Sequence, residues 1–145
     1  MLGTTAIVVA RLIFSGAFLV AMLMKFAGME HTAAAIAAIG FPVPMFFAWA
    51  SALFELGLLL AFLTGALFTE AAVLAAAYVL FLGFAFYGPG TWPGNPMQMG
   101  LFINHLTFVA GLLFAAVHGP GRTLALNWTL PWLSGHRSGA GNTTK

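Results

Sequence analysis

The sequence predicts an all-α fold, an integral membrane four-helix bundle with a short interfacial helix between spans one and two. Three observations predict it. Of 145 residues, 61% are hydrophobic and only 6% charged, with a mean hydropathy of +1.00; soluble domains carry about 25% charged residues. Four apolar runs are each long enough to cross a hydrocarbon core of about 30 Å at roughly 1.5 Å per residue. The breaks between them are built from glycine, proline and short polar residues. A chain so poor in charge has too little polar surface to be wetted on all sides, so its solvent is lipid.

The same numbers exclude several function classes. The formal charge of +2 comes from few groups, and Arg122, Arg137 and Lys145 all fall in the C-terminal tail. No basic face exists for nucleic acid. Cysteine is absent, which removes disulfides, thiolate metal sites and dithiol redox chemistry from within the chain.

The first span covers about 5–27, with Arg11 near its start and Lys25 near its end. No basic stretch precedes it and no small-x-small cleavage site follows it, so it reads as a retained helix rather than a signal peptide. The alanine-dominated segment 30–40 is too short to cross and reads as a helix lying at the membrane surface, with Thr32 placed to cap its start and Gly40 its end. The run Gly40-Phe41-Pro42-Val43-Pro44 breaks the chain and launches the second span, about 44–65, since proline suits a first helical turn. A tight turn leads to the third span, about 70–87. The proline- and glycine-rich stretch 88–96 is a loop, whose Trp92, with Tyr87, suits the membrane–water interface. The fourth span covers about 97–117. Residues 1–121 thus read as one transmembrane domain and 122–145 as a polar tail. Four spans bring both termini to one side, and the basic tail with Arg11 favours the cytoplasm for that side of a cell inner membrane.

Ionisable side chains within a bilayer are costly, roughly 2.5–3.5 kcal/mol each on insertion scales, so each calls for a partner or a purpose. Glu55 falls near mid-depth, about eleven residues into the second span, and His105 about eight residues into the fourth. Counting rises places Arg11 at nearly the depth of Glu55. The expectation is an intramembrane polar cluster of Arg11 and Glu55 with Asn104 or His105 beside them. Two readings of it stand open: a site for a quinone headgroup or proton transfer, with Glu55 and His105 exchanging protons, and an ion pair that locks the helices. Haem does not fit, because His105 and His118 lie 13 residues apart and point to different faces of one helix. Lys25, Glu30, His31 and Trp92 form a candidate contact on the opposite membrane face. There the lysine either reaches the headgroups beside a solvated acid or marks a docking point for a partner or polar substrate. Glu30 and His31 alone are too few ligands for a metal. Gly16, Gly57, Gly83 and Gly111 are candidate points of close helix contact.

Arg11-Leu12, Gly16, Phe18 and Lys25-Phe26 are followed in order by Ala38-Ile39-Gly40-Phe41-Pro42, Ala48-Trp49 and Glu55-Leu56-Gly57. Together with the turn Thr64-Gly65-Ala66-Leu67-Phe68-Thr69 and the closing Gly119-Pro120-Gly121-Arg122, they give the stretch from Arg11 to Arg122 a resemblance to the DoxX family of small bacterial membrane proteins. It implies a four-helix membrane bundle in redox company, since members are linked to a thiosulfate:quinone oxidoreductase and to a membrane complex handling oxidative and thiol stress. On this reading the chain anchors or serves a redox system among other membrane or membrane-associated redox subunits. It holds no cofactor within the chain, and quinone is the cofactor it is placed to meet. The rival reading is a structural or assembly subunit with no reaction of its own. A small-solute channel is disfavoured, because broken helices and polar pore faces are missing from the pattern.

Overall fold

A computed structural model describes residues 2–121; the tail expected over 122–145 lies outside the described residues. The chain forms α1 (Leu2–Ala27), α2 (Met29–Ala38), α3 (Pro44–Thr64), α4 (Phe68–Tyr87) and α5 (Pro96–His118), with a single 3-10 turn at Pro89–Thr91. Helices α1, α3, α4 and α5 are long and apolar enough to span a bilayer, and α2, at 10 residues, is not. The start of α1 and the end of α5 lie on one membrane face, here the N-terminal face: Gly121 approaches Ile7, and Arg11 reaches the carbonyl of Pro120. Helix α2 lies on the opposite face.

Each helix ends where its sequence requires. Gly28 separates α1 from α2, its N–H donating to the Met24 and Lys25 carbonyls. The Thr32 hydroxyl does not cap α2 as expected. The helix begins three residues earlier, at Met29, so the hydroxyl is already inside the first turn and donates back to the Gly28 carbonyl at 3.2 Å. The far end of α2 is a Schellman closure: Gly40, at φ +84°, donates to Ala37, and Phe41 donates to Ile36. Phe41 also packs on the cluster containing Ile36, the apolar contact that accompanies this motif. Pro44 occupies the first turn of α3, where a missing N–H costs nothing. Gly65 closes α3 with φ +74° and an N–H bonded to the Ala61 carbonyl.

Helix α1 packs on α3, α2 on α3, and α4 on α5. The buried face of α4 is almost all small: Ala71, Ala72, Ala75, Ala76 and Gly83, with Val79. Small side chains let backbones approach closely, which is how helices associate when lipid offers no hydrophobic drive between them. Toward the N-terminal face the core is aromatic. Phe18 stacks on Phe62 at 5.7 Å, Phe68 meets Phe62 edge-on at 5.4 Å, and Phe108 meets Phe14 edge-on at 5.3 Å. The outer surface stays apolar, with Met24 71%, Phe114 70% and Val117 78% exposed. On a soluble monomer such patches would mark association sites; on spanning helices they face lipid.

Candidate functional site: a buried carboxylate behind a membrane cavity

Three elements converge on Glu55, which is 1% exposed. Lys25 of α1 places its Nζ 2.6 Å from Oε1, and the Tyr78 hydroxyl of α4 donates to the same oxygen at 2.9 Å. Among the described residues Oε2 has no hydrogen-bond partner. Lys25 and Glu55 begin at different depths, and helix geometry brings them together. A side chain leans toward the N-terminus of its own helix. On antiparallel α1 and α3 that tilt sends Lys25 inward from the opposite face and Glu55 outward to meet it.

The tilt also corrects the expected Arg11–Glu55 pairing. Arg11 leans toward the N-terminal face, away from Glu55, and donates from Nε to the Phe62 carbonyl at 3.1 Å and from Nη2 to the Leu63 carbonyl at 2.8 Å. A third bond runs from Nη1 to the Pro120 carbonyl at 3.4 Å. The Phe62 and Leu63 carbonyls belong to the last turn of α3, where they have no partner within the helix. The guanidinium therefore closes a helix end and ties α1 to the segment after α5. Asn104 leaves the expected cluster as well: it is exposed on the outside of α5, one position round the helix from the half-buried His105. The lysine does not reach out to the headgroups as one reading had it; it turns into the protein.

Lys25 and Tyr78 also line a cavity of about 600 Å³ between the helices on the opposite side of the bundle. Its polar wall includes Lys25, His31, Ser51, Tyr78, Tyr87 and His105, and its apolar wall includes Phe41, Phe47, Phe54, Phe81 and Phe86. Glu55 stands one layer behind this wall. His105 contacts the Leu101 carbonyl through Nδ1 at 2.8 Å. A carbonyl only accepts, so Nδ1 carries the hydrogen, and in the neutral ring Nε2 is left as acceptor. The His105 ring lies 4.9 Å from that of Tyr87. Gly83 permits this approach, since a Cβ there would sit 3.1 Å from the His105 Cβ. Gly111 likewise faces Phe14 at 3.5 Å, whereas Gly16 and Gly57 have nothing within 4 Å and mark no close contact.

Of the expected contact on the opposite face, Lys25 and His31 join the cavity wall. Glu30 is exposed on α2. Trp92 serves the loop, its Nε1 donating to the Tyr87 carbonyl at 2.9 Å while its ring meets Phe102 at 5.5 Å. Sequence reasoning missed Tyr78 and Ser51. A signal for Tyr78 was present: it lies about as many residues into α4 as Glu55 lies into α3, so the two reach mid-depth from opposite faces. Among the described residues no group of three histidine or acidic side chains is arranged to hold a metal.

The DoxX family profile matches residues 6–88, more than half of the chain, a stretch that contains Lys25, Glu55 and Tyr78. No curated protein and no solved structure matches the chain.

Proposed function

The chain belongs to the DoxX family, a redox-associated family of membrane proteins, and from that premise we propose that it serves a redox system by holding an isoprenoid quinone in the cavity. The observation that carries this reading is a pair of side chains, Lys25 and Tyr78, that both line the cavity and bind the carboxylate behind it. The cavity volume falls within the roughly 300–1,000 Å³ of small-molecule sites, which are mostly apolar with a few placed polar groups. Phenylalanines suit an isoprenoid tail, and the Lys25 ammonium suits a quinone carbonyl, which only accepts. Glu55 and His105 are the groups behind and beside the headgroup that exchange protons. The site sits in a cytoplasmic membrane with the basic tail, and hence both termini, in the cytoplasm; Lys25 then faces the outer leaflet.

The test is direct. The full chain purified in mild detergent is expected to retain quinone in its lipid extract, and Lys25→Met to lower the bound amount about tenfold. Equal quinone in both preparations, or none in either, would sink the reading.

A second reading, a structural or assembly subunit beside other membrane or membrane-associated redox subunits, is favoured by Asn104. An amide facing hydrocarbon without a partner is costly, and a neighbouring helix relieves it. A photo-crosslinker at Asn104 is expected to capture a specific membrane protein; labelling of lipid alone would remove this reading.

A further inference from the structure

We propose that a headgroup hydroxyl bound at Lys25 passes its proton through Tyr78 to Glu55. The inference rests on the cavity being a quinone-type site and names the form on which it acts, a hydroquinone or another amphiphile with an acidic aromatic hydroxyl. Glu55 does not line the cavity, so a proton from a bound ligand reaches it through a wall residue, and among the described residues Lys25 and Tyr78 are the two hydrogen-bonded to it. As an ammonium, Lys25 has no lone pair with which to accept. Tyr78 donates its hydrogen to Glu55 Oε1 and keeps acceptor capacity on the same oxygen.

The step balances. The ligand O–H bond breaks as a new O–H forms on Tyr78, and the original Tyr78 O–H breaks as one forms on Glu55. Beforehand the site holds an ammonium, a carboxylate and a neutral ligand. Afterwards it holds the ammonium, a ligand oxyanion and a neutral carboxylic acid. Lys25 exchanges one anionic partner for another, and net charge is constant, so no uncompensated charge appears where solvation is poor. The product is an oxyanion, from which an electron leaves more readily than from the neutral hydroxyl. Other titratable groups face the cavity: His31 from α2, Tyr87 from α4 and His105 from α5. Of these, the neutral His105 ring has a free acceptor nitrogen and is the strongest competitor for the proton.

The experiment uses the full chain in detergent and 2-decyl-4-nitrophenol, whose phenolate is coloured, at about one pH unit below the probe's own ionisation point. Wild type is expected to bind the probe as phenolate while free probe stays neutral. Binding is expected to raise a protonated-carboxyl band in the difference infrared spectrum, which moves to lower frequency in heavy water and is absent in Glu55→Gln. In Tyr78→Phe the colour is expected to develop about tenfold more slowly at saturating probe, as suits loss of a proton-transfer step. The infrared result does not depend on Tyr78→Phe, so a poorly folding Tyr78→Phe does not shield the proposal. Probe bound in its neutral form, or as phenolate without the carboxyl band, overturns the proposal and leaves the cavity reading standing. An unchanged rate in folded Tyr78→Phe overturns it as well. Absence of any binding to wild type overturns the cavity reading itself.

Discussion

Arg11 and Lys25 stand 14 residues apart on one helix, both drawn into a bundle surrounded by lipid, and they meet that environment in different ways. Arg11 turns toward backbone carbonyls. Its planar fork satisfies two last-turn acceptors of α3 and one beyond α5, in a region filled by interlocking phenylalanines. Lys25 turns toward a side chain, and its neighbourhood is a cavity. Backbone carbonyls are fixed acceptors that cannot take up a proton, so the bonds from Arg11 to Phe62, Leu63 and Pro120 have one state. A carboxylate and a tyrosine can exchange protons, so the lysine contact has more than one. The bundle thus keeps a fixed end and a responsive end on the same pair of helices.

The largest effect is expected from breaking the fixed end. Arg11→Met leaves the Phe62 and Leu63 carbonyls unsatisfied in an apolar medium, at a cost of about 2–4 kcal/mol. Thermal unfolding in detergent should show a marked loss of stability, while ligand affinity of the protein that remains folded is unchanged. A loss of affinity at normal stability would abolish the distinction between the ends.

Lys25→Met should do the reverse. Glu55 can take up a proton once its partner has gone, so the bundle loses less stability than in Arg11→Met, whereas quinone binding falls about tenfold. Unfolding comparable to Arg11→Met would make the lysine another lock.

A finer comparison uses two glycines. Gly83→Ala places a Cβ 3.1 Å from the His105 Cβ, so α4 and α5 must shift near the cavity. The expected stability loss is about 1 kcal/mol, with quinone affinity reduced about threefold. Gly111→Ala meets only the end of the Phe14 ring, at 3.5 Å, an ordinary contact. It is expected to gain about 0.5 kcal/mol from reduced backbone freedom in the unfolded chain. Calorimetry of both variants in one detergent checks the order.

The spans and the interfacial helix were legible because hydropathy, length and glycine–proline breaks act locally. The match to the DoxX family fits the resemblance read from Arg11, Gly40-Phe41-Pro42 and Glu55-Leu56-Gly57. The polar pairing was not legible by depth alone. Rise per residue places a Cα along the membrane normal, but Arg and Lys extend several ångströms from it, in a direction set by helix polarity. Antiparallel α1 and α3 therefore carry Arg11 away from Glu55 and Lys25 toward it. Asn104 and His105 share a depth but differ in azimuth, and a rotation of about 100° per residue sent one outward and the other to the cavity. Azimuth depends on which face α4 occupies, which a single sequence does not state.

The phenylalanine layer formed by Phe14, Phe18, Phe62, Phe68 and Phe108 has an electrical consequence. Among the described residues it fills the bundle between the cavity and the N-terminal face, and interlocking rings offer a file of water no polar group to follow. On the proposed reading, a proton released in the cavity is expected to return to the face it came from. Whatever traffic the cavity supports is therefore one-sided, and a vesicle crowded with this protein should hold its pH gradient as long as a bare one.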